Sequence, residues 1–270
     1  MTAFASILCA IDFSSLAPRV LRHAVGFAGV CGARLTVLTV TNADPREARA
    51  KVGSILDGVV PPGAPYLETP RIQVVHVALG RPADAILGRA REGTDLIVAG
   101  THSKSGLSRW LLGSTSAAIM EEAMCPTLLV PPGDLEIVTL TADRATLHPG
   151  IVLAAVDLAE HNDRQLSLAS QLAAIAHQPL ALMTVVGAGV GEPEAKQALQ
   201  ARAEGLSAAR PDRFIVRRGL VPDQIDKAAV DAHAGLVVMG LRAPGHGVPG
   251  EIASAVLKTK DAVVLAVPAS

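Results

Sequence analysis

DLIVAGTHSKSGLSRWLLGSTS, Asp95 to Ser116, holds three kinds of segment in a fixed order. Asp95–Gly100 is an apolar run of strand length. Thr101–Gly113 is a loop rich in small, hydroxyl and basic residues. A helical pattern over Ser114–Ala123 follows. Near-continuous Val/Ile/Leu runs are the mark of strands buried on both faces, and such strands belong to parallel sheets covered by helices. The stretch therefore reads as strand, βα loop and helix of an α/β domain.

The same arrangement recurs outward from this stretch. Apolar runs predict strands at 7–11, 35–41, 72–77, 96–100 and 127–130. Amphipathic stretches predict helices at 18–31, 47–59, 82–91 and 114–123. Ser14 or Ser15 is the expected cap of the first helix, with Pro18 in its opening turn. Right-handed crossovers make this a doubly wound, five-stranded, Rossmann-like α/β domain.

The chain then repeats itself. Ile7–Asp12 (ILCAID) returns as Val152–Asp157 (VLAAVD), and Asp95–Gly100 as Gly235–Gly240 (GLVVMG). Thr127–Pro131 (TLLVP) returns as Val264–Pro268 (VLAVP). Order is kept and the second copy is slightly shorter, which indicates a tandem duplication with deletions. Second-copy strands are expected at 151–156, 180–186, 213–217, 236–240 and 263–267. The expected division is a first domain at 1–133, a linker at 134–149 and a second domain at 150–270. Pro-Pro-Gly and His-Pro-Gly flank the linker region, and the alternating Leu135–Leu140 within it suits a short extra strand.

Composition excludes several classes. The chain has 270 residues, 50% hydrophobic, a formal net charge of -1 and only 2% aromatic residues. No basic field or set of stacking platforms points to nucleic acid. The N-terminal stretch lacks a basic n-region, and its apolar run ends at Asp12, too short for a secretory or membrane-spanning core. A soluble, cytoplasmic protein without a membrane partner is expected. Cys9, Cys31 and Cys125 show no metal-ligand spacing and read as buried thiols.

The loop chemistry suggests a ligand. In open α/β sheets, ligands sit beyond the carboxyl ends of the strands, where strand order reverses. Asp12 leaves the end of strand one and the Gly100 loop leaves strand four, so both flank one crevice if these strands are neighbours. Glycines allow close backbone approach, and the helix starting near Gly113-Ser114-Thr115 presents free N–H groups to an anion. Ser114 and Thr115 add hydroxyls, and Asp12 is an acceptor for a ribose hydroxyl or base amino group. These residue types suit a nucleotide polyphosphate; a helix cap fitted to a tight turn accounts for part of the same composition.

The run Gly100-Thr101-His102-Ser103-Lys104-Ser105-Gly106-Leu107, with Gly113-Ser114 and then Cys125–Val130, resembles the universal stress protein family. Ala10–Ser14 (AIDFS) and Gly80–Ile86 (GRPADAI) are similar to it as well. The resemblance spans the first copy and, more weakly, the second. Nucleotide-binding members carry Gly-x-x-Gly, nine residues, then Gly-Ser or Gly-Thr. Here Gly100 and Gly113-Ser114 match, while Ser103 replaces the middle Gly. The resemblance implies that Asp12 and the Val40 backbone hold adenine or ribose, and that Gly100, Ser103, Gly113, Ser114 and Thr115 hold phosphates. It implies ATP, or ADP or AMP, with or without Mg²⁺, as cofactor. It also implies intramolecular pairing of the copies through Thr127–Val130 and Val264–Val267, with homodimerisation as a compatible further step.

The second copy departs from this pattern. Asp157 persists, but nine residues rather than twelve separate Gly240 from Gly250, and Glu251 and Ile252 stand in place of Ser114 and Thr115. A carboxylate there repels phosphate, so the second site is expected to be degenerate toward nucleoside triphosphates.

Other motifs carry less. No Gly-x4-Gly-Lys-Ser/Thr occurs. Gly187–Glu192 (GAGVGE) lacks the last glycine of a dinucleotide fingerprint and reads as a βα loop. His102, Lys104 and Arg109 read as solvated loop residues, and Trp110 with Leu107, Leu111 and Leu112 as a packing ridge. His76, His161 and His246 form no metal set. No base is paired with a positioned nucleophile, so a regulatory, stress-related role is favoured. Slow ATP hydrolysis and a nucleotide-independent scaffold are the alternatives.

Overall fold

The computed structural model describes residues 3–67, 71–76, 80–101, 113–160, 163–241 and 262–269. The chain forms two compact units. The first holds Thr2–Pro132 and Val138–Leu147; the second holds Gly133–Ile137 and His148–Ser270.

In the first unit, β1 (Ser6–Ile11), β2 (Arg34–Thr41), β3 (Arg71–His76), β4 (Leu96–Gly100) and β5 (Thr127–Val130) alternate with helices. These helices are α1 (Ala17–Cys31), α2 (Pro45–Val59), α3 (Pro82–Ala90) and α4 (Ser114–Glu122). All the strand pairs are parallel, in the order β5-β4-β1-β2-β3. Strand order reverses between β1 and β4, which pair from Ile7↔Leu96 to Ala10↔Ala99. The apolar reading of β4 and β5 is realised as complete burial of Leu96–Ala99 and Thr127–Val130.

Local chemistry sets the element ends. The Asp44 carboxylate accepts from the Arg46 and Glu47 amides at 2.9 and 3.2 Å and starts α2. Gly32, at φ 62°, closes α1 with its N–H on the Ala28 carbonyl, a left-handed conformation glycine adopts without steric cost. The expected serine cap of α1 is absent. Leu16 is the cap position and makes no side-chain cap bond. Ser14 instead donates its amide to Asp12 Oδ1 at 2.9 Å, so the turn is organised around the aspartate. Asp95 Oδ2 accepts from the Ala5 and Ser6 amides, both at 2.9 Å, and ties the start of β1 to that of β4.

Within the segment expected to link the domains lies an antiparallel hairpin of β6 (Val138–Leu140) and β7 (Ala145–Leu147). The alternation read at Leu135–Leu140 thus becomes strand only over its last three residues. The hairpin packs on α1, where glycines make the room. A Cβ on Gly26 would lie 2.3 Å from Val138 Cγ1, and one on Gly29 would lie 2.7 Å from Ala145 Cβ. Tyr66 donates its hydroxyl to the Thr141 carbonyl at 3.0 Å and holds the hairpin tip.

The second unit repeats the plan. Its strands are β8 (Val152–Ala155), β9 (Leu180–Val186), β10 (Pro211–Arg218), β11 (Leu236–Gly240) and β12 (Val263–Val267). They pair in parallel in the order β12-β11-β8-β9-β10. The helices are α5 (Asp163–Ala176), α6 (Glu192–Ala203) and α7 (Val221–Ala232). Both units are doubly wound, Rossmann-like α/β domains. Among the described residues, no helix is long and apolar enough to cross a membrane.

Candidate functional site

The carboxyl ends of β1, β2 and β4 meet the start of α4 around a cavity of about 220 Å³. Asp12, one residue beyond β1, lies on its wall with Val40 of β2. Gly100 at the end of β4, Gly113 and Thr115, also drawn from the sequence, lie on the same wall. Because β1 pairs with both β2 and β4, the cavity occupies the point of strand-order reversal.

Gly100 is required for a reason the sequence did not reveal. A Cβ there would lie 2.8 Å from Leu16 Cδ2 and 3.1 Å from Val20 Cγ2. These two residues, at the start of α1, also line the cavity. The glycine lets α1 close over the end of β4, and its backbone has no positive φ.

The residues on either side of 102–112 are fastened together. Thr101 donates its amide to the Val130 carbonyl at 3.1 Å, and Gly113 donates to the Thr101 carbonyl at 2.7 Å. Ser116 donates its hydroxyl to the Gly100 carbonyl at 2.6 Å. Gly113, with φ -60° and ψ 146°, is the N-cap of α4 and makes no side-chain cap bond. The helix therefore begins beside β4 with its first-turn N–H groups free of a side-chain cap.

Ser114 is exposed and does not line the cavity. Ser103, His102, Lys104, Arg109 and Trp110 lie outside the described residues. Sequence reading passed over Ser116, although it stands in the Ser-Thr-Ser run. It also had no signal for Leu16 and Val20, which meet Gly100 only through the fold. The walls from α3 include Pro82 and Ile86. Arg81, just before α3, binds Asp84 Oδ1 at 2.7 Å and Glu122 Oε1 at 3.1 Å. The hydrogen bond to Asp84, and then that to Glu122, raises its guanidinium further above the usual range. The pair links the start of α3 to the end of α4.

The second unit holds a cavity of about 210 Å³ at the corresponding place, reached by Asp157, Val185 and Gly240. Asp157 Oδ1 accepts from the Ala159 amide at 3.0 Å, as Asp12 does from Ser14. The surroundings differ. Gln165, buried in α5, donates from Nε2 to the Ala155 carbonyl at 2.7 Å and the Val238 carbonyl at 3.0 Å. It spans β8 and β11 where the first unit has the aliphatic Val20. Arg202 of α6 donates to the carbonyls of Leu158 and Glu160 at 3.3 and 2.9 Å. Residues 242–261, with His246, Glu251 and Ile252, lie outside the described residues, as does His161. The Gly187–Gly191 loop joins β9 to α6. Arg218 donates to the carbonyls of Gly187 and Val190, and Gly191 is the N-cap of α6.

Among the described residues, no group of three His, Cys, Asp or Glu side chains is placed to hold a metal ion. Cys9, Cys31 and Cys125 are buried and form no disulfide. Burial pushes the Cys9 and Cys31 thiols up.

Comparison with known proteins agrees with this architecture. Residues 3–131 match the universal stress protein family. Universal stress protein YxiE of Bacillus subtilis is 31% identical over 150 residues, covering 47% of this chain and 99% of the relative. A universal stress protein of Thermus aquaticus is 35% identical over 136 residues, 47% of this chain and 98% of that one. The crystal structure of a universal stress protein from Archaeoglobus fulgidus covers 97% of this chain and 98% of its own, with a TM-score of 0.68 and 18% identity. That last likeness is one of fold.

Proposed function

Since the chain belongs to the universal stress protein family, we propose that it is an adenine-nucleotide-binding regulatory protein of the stress response, with its nucleotide site in the first unit. Asp12 and the Val40 backbone hold the adenosine part, and Gly100, Ser103, Gly113, Ser114 and Thr115 hold the phosphates. The resident ligand is ATP, ADP or AMP. The second site is degenerate toward triphosphates. The domain division at 1–133, 134–149 and 150–270, the pairing of the domains within the chain and a cytoplasmic location belong to the same proposal.

One observation carries the reading: Asp12, Gly100, Gly113 and Thr115, chosen for their chemistry, line one cavity at the strand-order reversal, together with Val40, which the family resemblance implied. The residues fit the ligand in kind. Leu38, Ile86 and Ile119 give the cavity apolar walls suited to a flat base. Asp12 supplies an acceptor at the end of β1, and the start of α4 supplies N–H groups and a dipole for an anion.

Calorimetric titration of the full chain with ATP tests the proposal. Asp12→Ala removes a charged acceptor and is expected to weaken binding by about tenfold or more, whereas Asp157→Ala leaves ATP affinity unchanged. Equal affinity of wild type and Asp12→Ala would overturn the assignment. ATP turnover is expected to stay at the level of a Ser114→Ala control.

A further inference from the structure

We infer that the outer edge of β10 is a self-association surface, where the second unit pairs with that of another copy of the chain, antiparallel about Ile215. β10 bonds to β9 on one side, and no described strand pairs with its other side. Alternate residues of a parallel strand turn their N–H and C=O to opposite neighbours. Every second residue of β10 therefore offers both groups to the open edge. This edge lies across the second sheet from β12, the strand that the family resemblance gives to pairing of the copies.

Exposed apolar side chains gather around this edge. Among the described residues, the large ones are Met124, Val190, Leu220, Val221 and Val230. The last four each stand close to β10 in bonding or in sequence. The Val190 carbonyl accepts from Arg218. Leu220, 73% exposed, and Val221 follow the end of the strand. Val230 precedes Asp231, whose carboxylate binds Arg217 at 2.7 Å. Within the strand, Phe214, Ile215 and Val216 are only half-buried. Apolar side chains concentrated around an open edge mark an interaction surface.

The strand is complementary to itself, which points to a second copy as the occupant. A two-fold axis at Ile215 sets Phe214 opposite Val216 twice, and Ile215 against its own counterpart. Arg213 comes opposite Arg217, whose partner Asp231 keeps 62% of its side chain exposed and can take a second guanidinium. Asp212, also exposed, comes level with Arg218. The pairing is bounded at its start. Pro211 has no N–H, and the register with β9 is irregular between Pro211 and Arg213. The edge thus admits one short register and a closed pair rather than open-ended growth.

Sedimentation equilibrium of the full chain is expected to give twice the mass of one chain. In Ile215→Arg two guanidiniums meet at the axis, and the mass is expected to halve, with circular dichroism checking the fold. Ile215→Cys is expected to form a disulfide-linked dimer under mild oxidation, because residues on the axis come within disulfide reach. Arg213→Cys is expected to form none, since its two copies lie about 13 Å apart along the strands. Wild type, whose three cysteines are buried, is the oxidation control. A single-chain mass for wild type overturns the proposal. So does a dimer that Ile215→Arg leaves intact, or cross-linking of Arg213→Cys without that of Ile215→Cys. Should Ile215→Arg fail to fold, the two cysteine variants decide alone.

Discussion

Gly100 illustrates how one residue serves packing and binding together. Its missing side chain leaves room for Leu16 and Val20, and those two side chains then become wall of the cavity. In Gly100→Ala the added methyl pushes Leu16, the flexible partner, toward the cavity. Stability is expected to fall by about 1–3 kcal/mol, read by denaturant unfolding, with ATP affinity falling in parallel. Unchanged affinity would show that Leu16 does not border the bound ligand. The residue pattern alone suggested a glycine needed for approach to phosphate; the packing reason depends on α1 and β4 being neighbours, which no local pattern encodes.

The buried thiols make a second prediction at this scale. Burial disfavours the thiolate, so the folded chain holds the Cys9 and Cys31 protons to higher pH than the unfolded chain does. Their contribution is complete below the ordinary thiol value. It is lost as pH rises from that value toward the raised folded one, by up to about 1.4 kcal/mol per pH unit for each thiol. Unfolding of Cys9→Ala/Cys31→Ala is expected to show a shallower alkaline decline than wild type. Identical slopes would contradict the assignment.

At the scale of elements, β4 and β5 were legible to their end residues because both faces are buried and the apolar run is uninterrupted. The start of α1 was misread because two serines before a proline have the look of a cap. Here Asp12 uses the Ser14 amide and the helix begins at Ala17 without side-chain help. The β6–β7 hairpin was only half visible. Leu135–Leu140 alternates as a strand should, but Ala145–Leu147 is too short to signal itself. The glycines that seat the hairpin lie far away on α1, where Gly26 and Gly29 look like ordinary breaks in helix propensity. Gly26→Ala would set its methyl 2.3 Å from Val138 Cγ1 and 3.1 Å from the Val138 Cβ. The hairpin must then shift. The expected cost is about 1–3 kcal/mol, with faster hydrogen exchange confined to residues 138–147. Unaltered exchange there would show that the hairpin is held by other contacts.

The lining of the candidate cavity was legible where chemistry and sheet topology coincide. Asp12, Gly100 and Thr115 combine a recognisable residue type with a position at a strand end or helix start, and the fold delivers them to one cavity. Gln165 and Arg202 were missed because neither belongs to a motif. A glutamine in an amphipathic helix reads as a surface residue, and only the pairing of β8 with β11 turns it inward to two strand carbonyls. Ser114 shows the opposite case, a motif residue whose side chain lies exposed beside the cavity rather than on its wall.

At the scale of the whole molecule, two copies of one fold have kept similar cavities and changed what surrounds them. In the first, Asp12 stands with hydroxyl and glycine residues at the start of α4. In the second, Asp157 stands with Glu160 and an arginine already engaged. The central claim is that only the first copy accepts a nucleoside triphosphate. The direct measurement is the stoichiometry of ATP binding to the intact chain by calorimetric titration. The account predicts one ATP per chain, with binding abolished by Asp12→Ala combined with Thr115→Ala and untouched by Asp157→Ala. Two ATP per chain, or a single ATP lost on changing Asp157, would contradict it.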